Sequence, residues 1–253
     1  LFIYVIKVLF NALWGVIKRF YMITLYYLAM PVSAATIPID NGEKFKKVKD
    51  ENGKAYAYRD AAGNYYEMNS NAISDMLEPG STFKTITLAA AMDCGAVTLD
   101  TRFACGGAEQ IPGRSQLLHC WKSTGHGGQQ TAQALQNSCN LAFAHIGLKL
   151  GGERFYDYVQ KFGILEKTGI DLAGESKGIF FDKALVTNTD KWGTASLTSG
   201  SFGQTFKITP LQLVRAIASV VNGGYLLEPY IVSEIMDAEG NTVMKAEQTG
   251  VRQ

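Results

Sequence analysis

The segment Glu78-Pro-Gly-Ser-Thr-Phe-Lys84 constrains this chain more than any other, because a tight Pro79-Gly80 approach runs straight into an apolar helix. Residues Thr82 to Ala91 (TFKTITLAAA) are rich in helix-compatible, apolar residues. Ser81 then falls at or near the first helical position, and Lys84, three residues on, shares its face. A serine hydroxyl is a poor nucleophile until a base takes its proton, and a lysine amine can do so once burial lowers its pKa. Taken alone, Ser-x-x-Lys is a common pattern, and the alternative reading is an N-cap serine beside a surface lysine.

Further blocks downstream raise its specificity. Apolar positions predict one helix from Thr131 and a second from Leu141 to Leu150, with Ser138-Cys139-Asn140 at their junction. Ala72 to Lys84, Gln136 to Asn140 and Lys167 to Glu175, followed by Gly203-Gln204, Ile208 to Leu213 and Asn222-Gly-Gly224, together resemble the transpeptidase domain of class B penicillin-binding proteins, division and sporulation types. The resemblance covers about residues 70 to 253. It implies an α+β, penicillin-binding/β-lactamase-like fold, with a helical cluster packed on an antiparallel sheet.

Function and site residues follow from the same resemblance. Ser81 would be the nucleophile, Lys84 the base and Ser138 a proton relay, with Asn140 holding the donor peptide. The implied reaction is acyl transfer on D-Ala-D-Ala stem peptides of peptidoglycan, which β-lactams mimic. Other implied partners are a membrane glycosyltransferase of the cell-wall machinery and the membrane itself. The location implied is the cell membrane, with the catalytic domain extracytoplasmic. No cofactor and no metal are expected. A β-lactamase or D,D-carboxypeptidase shares the first two motifs, but no Glu-x-x-Leu-Asn segment is present to activate water. A non-catalytic cell-wall or partner-binding module is the remaining alternative.

One element departs from the family pattern. The family closes its site with Lys-Thr-Gly on a strand beyond the Thr-Pro-Leu-Gln helix. The Lys167-Thr168-Gly169 found here precedes that helix and reads as a packing segment, and Gln253 arrives before the expected motif. The expectation is an impaired fragment whose sheet is incomplete at its C-terminal side, leaving an exposed edge.

The rest of the chain divides into two shorter stretches. Residues 1–34 are dominated by apolar residues and read as a membrane anchor or a signal-like segment, with a core helix as the alternative. Residues 35–70 read as a small β-meander unlike the family, with turn signals at 50–53 and 60–63, and residues 71–253 as the transpeptidase domain. The balance of 24 Lys+Arg against 23 Asp+Glu provides no field to attract nucleic acid. Histidines 119, 126 and 145 are widely spaced and match no metal-ligand pattern. Cys105 and Cys120 bracket a Gly/Pro-containing loop whose spacing suits a disulfide, while Cys94 ends the first helix and Cys139 sits inside the Ser-x-Asn triplet.

Overall fold

The computed structural model describes residues 45–49, 55–60, 65–67 and 71–252, except 173, 238 and 248. The segment 1–34, read from sequence as an anchor or signal, lies outside the described residues. Three strands, β1 (Phe45–Lys49), β2 (Ala55–Asp60) and β3 (Tyr65–Glu67), form an antiparallel meander in the order β1-β2-β3.

Helix α1 (Asn71–Ser74) leads to a 3-10 turn, Gly80–Phe83, which continues directly into α2 (Lys84–Asp93). Helix α2 buries Lys84, Thr85, Ile86, Thr87, Leu88, Ala90 and Ala91, positions that surround the helix rather than line one side. Its residues accordingly belong to two cores. Leu88 and Ala91 pack with Val97, Phe103, Ile111, Leu141, Phe143 and Ile146. Ile86 and Ala90 join Phe83 with Phe155, Val159, Ile164, Phe206, Ile208 and Leu213. In the second core the rings of Phe83 and Phe206 meet edge-on at 4.8 Å, and Phe180 adds a similar contact to Phe206 at 4.7 Å.

Short strands β4 (Arg102–Cys105), β5 (Ala108–Glu109), β6 (Leu118–His119) and β7 (Gly127–Gln130) follow, paired β4 with β7 and β5 with β6. Helices α3 (Thr131–Gln136), α4 (Asn140–Leu150) and α5 (Gly152–Lys161) come next, then α6 (Lys183–Thr187), α7 (Lys191–Gly200) and α8 (Pro210–Val221). The start of α8 follows its sequence signature. Thr209 Oγ1 accepts from the Gln212 N–H, the Thr209 N–H donates to Gln212 Oε1, and Pro210 takes the first turn. The Gln212 amide then donates to the carbonyls of Ile164 and Glu166, tying α8 to the loop after α5.

Helices with antiparallel strands make the expected α+β class, although the strand pairing is more divided than a single sheet. Beyond the meander, the described strands pair in twos. Strand β8 (Tyr225–Leu227) pairs with β11 (Gly250–Arg252), while β9 (Glu234–Met236) and β10 (Thr242–Lys245) form a hairpin. The hairpin strands lie on the surface and leave Ile235, Met236, Val243 and Met244 exposed. No helix among the described residues is long and apolar enough to cross a membrane.

Lys167-Thr168-Gly169 is held by a neighbouring carboxylate. Thr168 donates from its N–H (2.5 Å) and its hydroxyl (2.6 Å) to Glu175 Oε1, and the Gly169 N–H donates to Oε2 at 3.2 Å. Thr168 and Glu175 are buried, so a lost partner leaves donors unsatisfied. Glu175→Ala is expected to cost about 2–3 kcal/mol, read as a lower urea midpoint. An unchanged midpoint would mean that water replaces the carboxylate without loss.

Candidate active site

Three side chains and one carbonyl, drawn from two separate segments, converge on the Lys84 amine. Lys84 Nζ donates to Ser81 Oγ at 3.0 Å, Ser138 Oγ at 3.0 Å, the Ser138 carbonyl at 2.8 Å and Asn140 Oδ1 at 2.7 Å. Lys84 is fully buried, whereas Ser81 is exposed and Ser138 and Asn140 are half-buried. The cluster therefore opens to solvent through the serine, with the amine at its floor. All four residues singled out in the sequence are in one place.

Local backbone explains how they get there. Gly80 takes φ +56, a conformation open to glycine, and turns the chain into the 3-10 segment that carries Ser81. The 3-10 turn continues into α2, leaving Ser81 one turn ahead of Lys84 with both side chains on one face. Across the site, α3 ends at Gln136 and α4 starts at Asn140, so Ser138 lies in the break between them. Ser138 has φ +49, one of two non-glycine residues with positive φ among those described. Such a conformation costs of order 1–3 kcal/mol and persists only where the surroundings enforce it. Cys139 caps α4, its sulfur accepting from the Ala142 N–H at 3.5 Å.

The second positive-φ residue, Thr205 (φ +72), borders the same region. Its N–H donates to Glu78 Oε1 at 3.0 Å, and nearby the Gly80 N–H donates to the Gly203 carbonyl at 2.8 Å. The Gly203-Gln204-Thr205 turn thus braces the approach to Ser81 from behind. The sequence contained Gly203-Gln204 as a family block but gave no hint of this contact, which joins residues far apart in the chain.

Burial brings the neutral amine within reach of physiological pH. Burial lowers the Lys84 pKa from its ordinary value to about 8, and the nearby Cys139 and Cys120 thiols pull the other way. The rings of Phe143 and Phe202 close over the amine at 5.6 and 6.0 Å. An amine of this kind can accept a proton from a hydroxyl 3.0 Å away near neutral pH.

The cysteines correct the sequence reading. Cys105 and Cys120 are free thiols rather than a disulfide pair. Register explains it: β4 pairs with β7, placing Cys105 opposite Gly127 and bringing the adjacent His126 between the two thiols. Cys105 Sγ and Cys120 Sγ lie 3.5 and 3.6 Å from His126 Nδ1, and Cys120 Sγ lies 3.9 Å from Cys139 Sγ. His126, set aside in the sequence for lack of a metal-ligand spacing, is therefore grouped with three cysteines directly behind the Ser138–Asn140 turn. His145, on α4, faces Glu109 at 2.9 Å.

Comparison with known proteins identifies the family of the chain. The family model for the penicillin binding protein transpeptidase domain matches residues 34–252, a span that includes the meander. Stage V sporulation protein D of Bacillus subtilis is 43% identical over 161 residues, 63% of this chain and 24% of that protein. Peptidoglycan D,D-transpeptidase MrdA of Acinetobacter baumannii is 31% identical over 180 residues, 70% of this chain and 27% of that protein. The chain thus spans about a quarter of the length of these relatives. Among solved structures, a peptidoglycan synthetase from Bifidobacterium adolescentis superposes with a TM-score of 0.65 at 25% identity, covering 75% of this chain and 35% of the other. With its match running over most of its length, this chain belongs to the penicillin-binding protein transpeptidase domain family.

Proposed function

We propose that the chain carries the acylation centre of a serine-type peptidoglycan D,D-transpeptidase. The observation that carries this reading is the buried Lys84 amine held between Ser81 Oγ, Ser138 Oγ and Asn140 Oδ1. Its likeness to a peptidoglycan D,D-transpeptidase supports it. In this mechanism, neutral Lys84 takes the Ser81 proton as Ser81 Oγ attacks the carbonyl of a D-Ala-D-Ala peptide bond. Ser138 passes the proton to the departing amine of the terminal D-alanine. Asn140, whose Oδ1 accepts from Lys84, keeps its amide N–H groups for the donor peptide. An amine from a neighbouring stem peptide then displaces Ser81 and forms the cross-link. β-Lactams enter as donor mimics and stay on Ser81. The setting proposed is the outer face of the cell membrane, beside a glycosyltransferase that supplies the glycan strands.

Protonation of Lys84 gives the first test. Its folded-state pKa is lowered to about 8, so the amine is charged and inactive below that value and neutral above it. The second-order rate of β-lactam acylation is expected to rise about tenfold per pH unit below pH 8 and to level off above. At pH 7 about a tenth of the chains would hold the active form. A rate that stays flat from about pH 6 to 9 would remove Lys84 as the base.

A further inference from the structure

We propose that Cys105, Cys120, His126 and Cys139 form a closed four-ligand site for a zinc ion, which clamps the Ser138–Asn140 turn in place. Their ligand atoms all lie within 4.8 Å of one another. Sulfur and imidazole donors in a Cys3His set select zinc among abundant divalent ions.

The distances allow a sharper comparison. A tetrahedron with Zn–S near ~2.3 Å and Zn–N near ~2.0 Å has S···N edges of about 3.5 Å and S···S edges of about 3.8 Å. The observed S···N separations are 3.5 and 3.6 Å, and the Cys120–Cys139 separation is 3.9 Å.

Backbone donors also face two of the sulfurs. Backbone N–H groups of Lys122 and Asn140 hydrogen-bond to the Cys120 sulfur, and that of Ala142 to Cys139. The other ring nitrogen of His126, Nε2, is buried without a hydrogen-bond partner among the described residues. Trp121 packs edge-on against the imidazole at 5.3 Å, limiting its rotation. All three cysteines are buried, which leaves no open position for substrate or water and makes the site structural rather than catalytic.

Position in the fold gives the site its purpose. The ligands come from the end of β4, the residue after β6, the residue before β7 and the cap of α4. Binding closes these four segments into one unit and releases a proton for each thiol that becomes a thiolate. Because Cys139 lies between Ser138 and Asn140, the ion would hold the strained φ of Ser138 and keep both side chains on Lys84. This last step rests on the transpeptidase reading, whereas metal binding does not.

The test uses the whole chain purified from zinc-supplied cells without chelator. Elemental mass spectrometry is expected to find about one zinc per chain. Titration of demetallated protein with Co(II) should give the intense visible bands of a tetrahedral thiolate site, a readout on the unmutated chain. Cys105→Ser, Cys120→Ser and His126→Ala should each weaken zinc binding at least about tenfold in competition with a chromogenic chelator. Cys94→Ser, outside the cluster, should not. A metal-free chain with these cysteines joined in disulfides, or an octahedral cobalt spectrum, overturns the site. Zinc removal is also expected to slow β-lactam acylation about tenfold or more. Loss of zinc with no change in acylation overturns the clamp. A zinc-loaded chain that no β-lactam acylates instead counts against the transpeptidase reading and leaves the metal site standing.

Discussion

Ser81→Ala is expected to take up no penicillin at all, while the unaltered chain gains the mass of one ring-opened β-lactam. The loss is absolute because the covalent bond forms at Ser81 Oγ. Among the described residues, the only other hydroxyl hydrogen-bonded to the Lys84 amine is that of Ser138. Lys84→Met keeps a side chain of similar length in a fully buried position and removes only the base. Its acylation should fall at least about 1000-fold, in the upper range for losing a general base. It leaves the Ser138 carbonyl and Asn140 Oδ1 without their donor, so a stability loss of about 1–3 kcal/mol should accompany it. Intact-mass spectrometry against time separates these effects when each variant is first shown to unfold cooperatively. An adduct on Ser81→Ala at the ordinary rate would transfer the chemistry to another nucleophile and end the assignment.

The second large effect concerns two glycines that look alike in backbone angle. Gly203 has φ +83, and a methyl group there would overlap the Gly80 carbonyl oxygen and lie 2.9 Å from the Gly80 nitrogen. Those are backbone atoms of the turn that carries Ser81, so neither can rotate away. Gly80 has φ +56, but a methyl group added there would find no other atom within 4 Å. Gly203→Ala is expected to cost about 3–5 kcal/mol, from strain and overlap together. At this size that lowers the melting temperature by roughly 10 °C. Gly80→Ala should cost only the left-handed penalty, about 1–2 kcal/mol. Among molecules of Gly203→Ala that still fold, a serine displaced by about 1 Å should acylate about 100-fold more slowly. Equal melting temperatures for the two variants would refute the contact argument.

The parts of the site that were legible in the sequence are the parts that depend on neighbours along the chain. Ser81 and Lys84 meet because three residues make a helical turn, and Pro79-Gly80 signals where that turn begins. Thr209 and Gln212 announce the start of α8 for the same reason. Ser138 and Asn140 were found through family likeness, since nothing in a Ser-x-Asn triplet says which distant lysine it will face. What stayed hidden depends on long-range assembly. The pairing of β4 with β7 brings His126 to Cys105, and no ligand spacing of an ordinary metal motif encodes it. A hairpin-like disulfide was the natural reading of two cysteines around a loop, because the third and fourth members of the cluster come from other segments. Strand pairing was hidden in a similar way. β8 finds its partner in β11 on the far side of the β9–β10 hairpin, a choice made by packing rather than by alternation.

Helix α2, buried on all sides between two cores, has a consequence for how the centre can fail. Segments at a surface can open and reclose on their own, at a free-energy cost well below that of unfolding the domain. A helix that sends side chains into both cores has no such private exit, since lifting it out dismantles the two together. The Lys84 base therefore shares the fate of the whole domain, since its helix cannot leave while either core stands. Mutations that weaken either core should lower the number of competent molecules without changing how fast each competent molecule reacts.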